Sequence, residues 1–500
     1  MTSLADYQAQ RISLIDADLS LRREYLTLHL RSDKEVEADK IVRDIRALEA
    51  ETIWKADYPS IPHPFPGMEF LTGKSIIMKT KMPKGALLHA HLDATVDVDF
   101  MLELAKKQPG MHVRVRHPLS KSNLATNLPE FRMLPQEQLS SVNSLTDLSY
   151  PLGSWIPLEN ARSFFSSELG GAEGFDKWCI GSMSINPSEA YGTYNTLEKI
   201  WKKFGSVFQT STNLFHVEPI FTEYVRQFFR SMIADGISYV EARINFTAKL
   251  MCGADGQNNV PHRVWLQVFE KVMNEVKDEM MQQGRGGEFL GARVRIFLFR
   301  FLAGLTGFDL VGPENTMQPL IYYAEQLLRF QERQKEESVD IPFIFHAGET
   351  TGDGTEADIN LYDAILLGTK RIGHGYSLHR HPKLVETCRQ KGLTGFDRNE
   401  ILRLASSMPM HPLPALLNNG VPVALCSDDP AIFGSMGLTY DFFQVFIASE
   451  ITGLSTLGAL ARDSIEFSTL EKEEKERALA AFERRWNEFI EYILVEYGRK

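Results

Sequence analysis

The chain has 500 residues, 43% of them hydrophobic and 24% charged, a composition typical of a globular protein with one large domain or two to three average ones. The formal net charge is -11 and lysine and arginine form no cluster, which argues against nucleic-acid polymers and anionic membranes as partners. The four cysteines are scattered, the first residues contain no apolar signal segment, and no apolar run is long enough to span a membrane. We therefore expect a cytoplasmic protein, or a secreted one if a signal peptide was removed.

The first residues predict a helical element. In "ISLIDADLSLRREYLTLHL" and "EADKIVRDIRALEAETI", leucine and isoleucine recur at helical spacing among charged residues. The prolines of "YPSIPHPFPG", Tyr58–Gly67, then interrupt this pattern and predict a linker. We expect residues 1–57 to form a helical N-terminal element and residues 58–500 to form the main domain.

From Gly85 onward, short apolar runs alternate with helical stretches, an order typical of α/β folds with parallel strands. Eight runs are predicted to be strands: Gly85–His91, Ile237–Ile244, Val294–Phe299, Leu305–Gly312, Phe343–Glu349, Arg371–Gly375, Leu393–Asp397 and Val421–Asp428. Eight parallel strands are the number that closes a (β/α)8 barrel, so the predicted fold is an α/β barrel of the TIM type.

Two intervals depart from a regular barrel. After the first strand, residues 111–186 are rich in serine, proline, asparagine and glycine, and we interpret them as an inserted lobe. In "RVRIFLFRFLAGLTGFDLVG" the third and fourth strands lie almost end to end, although a parallel crossover needs about a dozen residues. Either the crossover helix is missing there, or one strand prediction is wrong, or the chain is a misassembled gene model.

Histidines and carboxylates follow four of the predicted strands. They are His89, His91 and Asp93 in "GALLHAHLDA", His346 and Glu349 in "FIFHAGE", His374 in "RIGHG", and Asp428 and Asp429 in "VALCSDDP". Barrels of this type carry their active sites at the C-terminal ends of the strands, so we expect these side chains to meet at one rim. Each motif alone has a structural explanation, such as a tight turn or a helix cap. Their coincidence in barrel order favours a functional one.

Together, "MPKGALLHAH", "HAGET", "RIGHG" and "SDDPAIFG" resemble the adenosine deaminases, most closely the adenosine-deaminase-related growth factor branch, from Lys81 to Leu438. The resemblance implies one zinc ion per chain and dimerisation through the N-terminal helices. The implied metal ligands are His89, His91, His346 and Asp428. The implied roles of the other residues are acid/base for Glu349, water orientation for His374, and substrate contacts for Asp429 at purine N7, for Asp93 at the ribose 5′-hydroxyl and for the Gly312 backbone at purine N3.

The implied chemistry agrees with these residue types. Three imidazoles and a carboxylate form a nitrogen and oxygen ligand set that suits zinc. Glu349 follows a ligand by three residues and is placed to protonate ring N1. The predicted activity is that of an adenosine aminohydrolase, which converts adenosine or 2′-deoxyadenosine, small purine nucleosides, into the inosine product and ammonia.

Alternatives stay open at one further stretch. "GFDRNEIL" stands where the family commonly has C-P-x-S-N, and its Asp397 and Arg398 form either an internal ion pair or a changed pocket in which Arg398 meets a phosphate. Asp93, by contrast, would repel a phosphate. The alternative activity is therefore deamination of AMP or N6-substituted adenine nucleotides. From another class, a growth-factor-like signalling protein or an inactive homologue is the alternative.

Overall fold

The structure, a computed structural model, describes residues 3–54, 82–135, 143–186, 189–190, 192–246, 248–297, 305–391, 394–397, 404 and 410–498. Its strands in these ranges are β1 (Gly85–His91), β2 (Met111–Arg114), β3 (Glu130–Met133), β4 (Ile156–Pro157), β5 (Ile237–Asn245), β6 (Leu250–Cys252), β7 (Asn258–Pro261), β8 (Gly291–Phe297), β9 (Leu305–Phe308), β10 (His346–Ala347), β11 (Gly373–His374), β12 (Thr394–Asp397) and β13 (Val423–Cys426).

The helices of the same ranges lie mostly between these strands. They are α1 (Leu4–Leu19), α2 (Asp33–Glu49), α3 (Val98–Lys106), α4 (Leu158–Ser163), α5 (Gly171–Ser182), α6 (Leu197–Phe215), α7 (Glu218–Ala234), α8 (His262–Gln282), α9 (Ala324–Glu336), α10 (Glu356–Leu366), α11 (Pro382–Lys391), α12 (Leu413–Asn418), α13 (Thr439–Ile447), α14 (Leu454–Glu466) and α15 (Lys472–Tyr497). The chain is thus a mixed helix and sheet protein, as predicted.

The strands that carry the motifs pair in parallel. β1 pairs with β5, β5 with β8 and β8 with β9. A parallel bridge joins Phe308 at the end of β9 to Phe343 just before β10. β10 then pairs with β11 and β12 with β13, and a bridge between Ala90 and Asp428 connects the end of β13 to β1. Because these pairings are parallel, the C-terminal strand ends and their motifs share one edge.

Several strands are shorter than predicted. β9 ends at Phe308 rather than Gly312, and β10 contains only His346 and Ala347. The register places Leu305, the first residue of β9, beside Val294, which is three residues before the end of β8. The chain therefore runs back by about 10 Å along the strand direction between the end of β8 and the start of β9. The predicted missing crossover concerns residues 298–304, which lie outside the described residues, as does the predicted linker 58–67.

The segment between β1 and β5 contains a small antiparallel sheet instead of a simple crossover. Its strand order is β3, β2, β4, and α4 and α5 follow it in the chain. A second antiparallel pair, β6 and β7, follows β5. The antiparallel strands therefore lie outside the parallel set that carries the motifs.

The N-terminal residues are attached to the C-terminal helices. Arg23 pairs with Asp463 of α14 at 2.6 Å, and the Arg46 guanidinium of α2 donates to the Thr452 carbonyl at 3.0 Å. Ala38 and Val42 of α2 are buried in the main hydrophobic core. By contrast, α1 contains no buried residue. Among the helices of the described ranges, none has both the length and the apolar character needed to cross a bilayer.

The core surrounds β1 and β5, which are buried along all but their last residues. This continuous burial is typical of parallel strands that are covered on both faces. Leu87, Leu88 and Ala90 of β1 are fully buried, and His89 lies among them with 2% of its surface exposed. The fold therefore places an imidazole at the inner end of an apolar strand, where a polar group needs a partner.

Candidate metal centre and active site

The four predicted ligands lie together at the shared strand edge. Asp428 Oδ1 is 3.2 Å from Nε2 of His89 and 3.2 Å from Nε2 of His91. The Nε2 atoms of His89 and His346 are 3.1 Å apart. The backbone fixes this arrangement, because His91 N donates to the Asp428 carbonyl at 3.0 Å. Side chains separated by more than 300 positions in the chain are thus brought to one point.

The donor spacing fits a metal ion. Four ligands around zinc, with bonds of about 2.0–2.1 Å, form a tetrahedron whose corners are about 3.3 Å apart. Three of the six separations among the predicted ligands, at 3.1 and 3.2 Å, are close to that edge. The donor atoms of His89, His346, His374 and Asp428 all lie within 4.8 Å of one another, and His91 forms a second such group with Asp428 and Asp429. Burial lowers the pKa of His89 and of His346, which keeps both imidazoles neutral and able to coordinate. Burial alone would raise the pKa of Asp428, but hydrogen bonds with His89 and His91 outweigh it and hold the pKa well below its usual range. The cluster can therefore hold a metal ion.

His374 has a donor atom within 4.8 Å of those of His89, His346 and Asp428, and it also approaches Glu349. Its ring centroid is 4.9 Å from that of His89 and 4.8 Å from that of His346. Its Nε2 is 3.6 Å from Oε2 of Glu349. Burial lowers the pKa of His374 to about 3, so the imidazole is neutral at physiological pH. A neutral ring carries one donor and one acceptor nitrogen, which suits it to orient a small molecule beside the cluster.

Unusual backbone conformations bring these side chains inward. His374 and Asp428 have φ angles of 66° and 55°, in the left-handed region that residues other than glycine seldom adopt. Such conformations cluster at functional sites, where the surrounding structure maintains them. Gly373 is also required, because a Cβ atom there would lie 2.8 Å from Cε1 of His89. The "RIGHG" motif therefore makes room for one imidazole and turns another toward it.

Asp309 contacts His346 from behind, a role that the sequence analysis missed. Its Oδ2 accepts from Nδ1 of His346 at 2.8 Å and from Nε of Arg243 at 2.9 Å. Burial alone would raise the pKa of Asp309, but His346 and Arg243 outweigh burial and lower it. An ionised partner at Nδ1 leaves the Nε2 lone pair of His346 for coordination. The available signal was a lone carboxylate inside the fourth predicted strand, Leu305–Gly312, which its local pattern does not distinguish from other charged residues.

Glu314, also missed, lies behind Glu349. Its Oε1 accepts from the Glu349 amide at 2.9 Å, and its Oε2 accepts from the Gly348 amide at 3.1 Å. Burial raises the pKa of Glu314 to about 7. A glutamate in the loop "GPE" carries no periodic or spacing signal, so sequence reasoning had no means of finding it.

The predicted substrate residues have different settings. Asp93 is buried in the turn Leu92–Ala94 directly after β1, where burial raises its pKa. Asp429 is buried beside Asp428 and its carboxylate lies within 4.8 Å of donor atoms of Asp428 and His91. Gly312 lies in the loop after β9 with a φ of 152°. Arg398 and the side chain of Asp397 lie outside the described residues.

Sequence comparison shows which known proteins this chain is similar to. The family model "Adenosine deaminase" matches residues 185–483. The chain is 28% identical over 466 residues to adenosine deaminase 2 of Homo sapiens, covering 85% of this chain and 83% of the human protein.

Two solved structures share the fold. The adenine deaminase of Arthrobacter aurescens has a TM-score of 0.53 at 16% identity and covers 81% of this chain and 99% of its own. An N6-mAMP deaminase of Arabidopsis has a TM-score of 0.50 at 16% identity and covers 82% of this chain and 99% of its own. The family match, which spans more than half of the chain, confirms the resemblance drawn from the motifs. The chain belongs to the adenosine deaminase family of hydrolytic deaminases.

Proposed function

We propose that the protein is a zinc-dependent adenosine aminohydrolase that converts adenosine or 2′-deoxyadenosine and water into inosine or 2′-deoxyinosine and ammonia. One zinc ion per chain would be held by His89, His91, His346 and Asp428. The observation that carries the proposal is that donor atoms of these four residues approach one another at 3.1–3.2 Å in three pairs, His89–His346, His89–Asp428 and His91–Asp428, beside Glu349 and His374. A zinc ion in this position supplies Lewis-acid activation of water near neutral pH.

The residues around the cluster have complementary roles in this proposal. Glu349 transfers a proton to ring N1 while water adds to C6, since negative charge builds on N1 as C6 becomes tetrahedral. His374, whose Nε2 is 3.6 Å from the Glu349 carboxylate, orients the attacking water. Asp429 faces purine N7 and the Gly312 backbone faces N3. The proton of the new C6 hydroxyl then passes to the amino group, the C6–N bond breaks, ammonia leaves, and the C6 oxygen becomes the carbonyl of the inosine product.

Asp93 favours a nucleoside over a nucleotide. Its carboxyl group is buried two residues after His91, in the turn Leu92–Ala94, and is proposed to bind the ribose 5′-hydroxyl. A 5′-phosphate in the same place would bring two negative charges together where solvent screens them weakly. The alternative, deamination of AMP or an N6-substituted adenine nucleotide, would rely on Arg398 as the phosphate partner.

We further propose that the parallel strands close into an eight-stranded (β/α)8 barrel. The parallel pairs and the bridges Phe308–Phe343 and Ala90–Asp428 support this closure. In such a barrel, catalytic groups come from the C-terminal ends of several strands, which is where the motifs lie. Residues 111–186 would then be a lobe inserted after the first barrel strand.

The N-terminal element, residues 1–57, is proposed to mediate a homodimer. Helix α1 buries none of its residues, and Leu4, Ile12 and Leu14 are 71%, 58% and 74% exposed. A second copy of this chain would cover these side chains. Sedimentation velocity should give a dimer for the full chain and a monomer for an Ile12→Asp/Leu14→Asp variant. A dimer that persists in this variant would contradict the role of α1. The cytoplasmic location stays a prediction, to be checked by fractionation of the source cells.

Ammonia release from a substrate panel tests the proposed reaction. Purified protein is given adenosine, 2′-deoxyadenosine, AMP and N6-methyl-AMP, before and after chelation and with zinc added back. The nucleosides should react faster than the nucleotides, and chelation should abolish a rate that zinc restores. Faster turnover of AMP would favour the nucleotide alternative. No turnover with zinc bound would favour a signalling protein or an inactive homologue.

A variant pair tests the role of Asp93 in the same assay. Asp93→Asn should lower kcat/KM for adenosine and reduce the preference for adenosine over AMP. Asp97→Asn is the matched control, since Asp97 is exposed and caps α3, and asparagine caps helices equally well. Equal preferences in the two variants would remove Asp93 from the ribose site.

A further inference from the structure

A buried carboxylate that the proposed chemistry does not use lies directly behind Glu349. The Glu314 side chain accepts three hydrogen bonds, two from successive backbone amides and one from a side chain. Glu349 N donates to Oε1 at 2.9 Å, Gly348 N donates to Oε2 at 3.1 Å, and Asn360 Nδ2 donates to Oε2 at 3.1 Å. Successive amides that converge on one anion form a small cradle, which requires a left-handed residue. Gly348 supplies it, with a φ of 77°.

We propose that Glu314 is a positioning residue that fixes the backbone of Gly348 and Glu349 and thereby aims the Glu349 carboxylate. This assignment rests on the proposed role of Glu349 as the acid/base of the reaction. Glu314 itself does not act on the substrate in this proposal, since its oxygens face the backbone and Asn360. Glu314 instead determines the direction in which the Glu349 side chain projects from the loop.

The cradle is anchored to rigid structure on its far side. Asn360 lies in α10, is 5% exposed, and its Oδ1 accepts from the Leu320 amide at 2.8 Å. Glu314 therefore connects a helix to the loop that follows β10. Gly348 is packed closely against Leu361 and Ser377, because an added Cβ would lie 2.9 Å from atoms of both residues. A carboxylate held at one end by a helix can hold the loop at the other.

Both oxygens must accept a hydrogen bond here, and a carboxyl group can do this whether it is ionised or protonated. In a Glu314→Gln variant, one of the two positions becomes an amide donor. Whichever way the amide turns, a donor faces either the Glu349 amide or the Gly348 amide and Asn360 together. The substitution preserves shape and volume, so its effect reports the lost acceptor and not a cavity.

Steady-state kinetics of Glu314→Gln form the first part of the test. A displacement of the acid/base by about 1 Å is expected to lower kcat about 100-fold. KM should stay within about threefold, and the zinc content per chain should equal that of the wild type. Thr350→Val is the matched control, since the Thr350 hydroxyl donates to Asn315 at 2.7 Å and joins the same two loops without contacting the cradle. Equal losses in both variants would overturn the proposal, because loop attachment in general would then explain them.

Hydrogen exchange forms the second part and requires no substrate. The Gly348 and Glu349 amides should exchange slowly in the wild type and at least tenfold faster in Glu314→Gln. Fast exchange of both amides in the wild type would overturn the proposal, even if the variant failed to fold. If the wild type deaminates none of the substrates but the two amides exchange faster in Glu314→Gln, the proposed reaction is wrong and the role of Glu314 in holding the loop is supported. If Glu314→Gln has the same kcat and the same amide exchange rates as the wild type, the role of Glu314 is refuted and the proposed reaction is unaffected.

Discussion

Replacing Asp309 with asparagine should weaken zinc binding without removing any proposed ligand. In the wild type, Oδ1 of Asp309 accepts from the His346 amide at 2.8 Å, and Oδ2 accepts from His346 Nδ1 and from Arg243 Nε. An asparagine retains the first bond through its carbonyl oxygen. Its amide nitrogen then faces His346 Nδ1 and donates to it, which favours the tautomer that carries the proton on Nε2. That proton occupies the lone pair that a metal ion needs.

The same substitution leaves a buried positive charge without its carboxylate partner. Arg243 and Asp309 are 1% and 0% exposed, so water cannot replace the lost oxygen. Removing one member of a buried ion pair costs about 3–5 kcal/mol of stability. Loss of a carboxylate that orients a ligand histidine costs about 10- to 100-fold in metal affinity. Asp309→Asn should therefore show both losses.

A neighbouring buried pair provides the matched control. Glu241 accepts from Arg371 at 2.7 Å and is also fully buried. The two pairs lie side by side, because Arg371 and Arg243 both donate to the Leu88 carbonyl. Glu241→Gln should lose similar stability to urea and keep wild-type zinc affinity, measured by competition with a chromogenic chelator on metal-free protein. Equal zinc affinities of Asp309→Asn and Glu241→Gln would refute the role of Asp309 in holding His346 for coordination.

Three further predictions concern single side chains. Glu349→Gln should lower kcat by about 10²–10⁴-fold with unchanged zinc content, and steady-state rates within tenfold of wild type would remove Glu349 as the acid/base. Gly373→Ala should cost about 1–3 kcal/mol of stability and lower the zinc content, because its Cβ would lie 2.8 Å from His89. Gly181→Ala is the control, since an added Cβ there has nothing within 4 Å, and it should change neither the melting temperature nor the zinc content. In metal-free protein, folding raises the pKa of Glu314 from 4.5 to about 7, so the fold favours the protonated side chain. The resulting contribution to the free energy of unfolding, up to about 3 kcal/mol, is complete below pH 4.5 and is lost as the pH rises through 7. Urea denaturation should show that loss relative to Glu314→Gln, and parallel pH profiles would contradict it.

The sequence alone was sufficient to locate the motif strands along the chain and to predict the bounds of β1, whereas the other motif strands, β10, β11 and β13, are shorter than predicted. β1 has the predicted bounds Gly85–His91, because an uninterrupted apolar run between a left-handed glycine and a polar turn leaves little choice of register. His89 and His91 share a side because side chains in a strand alternate. The family was also evident from the sequence, since its motifs are short, local and specific in combination.

The tertiary structure decided the contacts that join distant parts of the chain. Asp309, Arg243 and Glu314 have no local pattern that distinguishes them from other charged residues, and their importance appears only when folding places them against His346, Glu349 or each other. The attachment of α2 to the C-terminal helices is of the same kind, since Arg46 and Thr452 are paired only in space. Local sequence encodes backbone preference and periodicity, whereas a buried charge is stabilised by whichever partner the fold brings within hydrogen-bond distance.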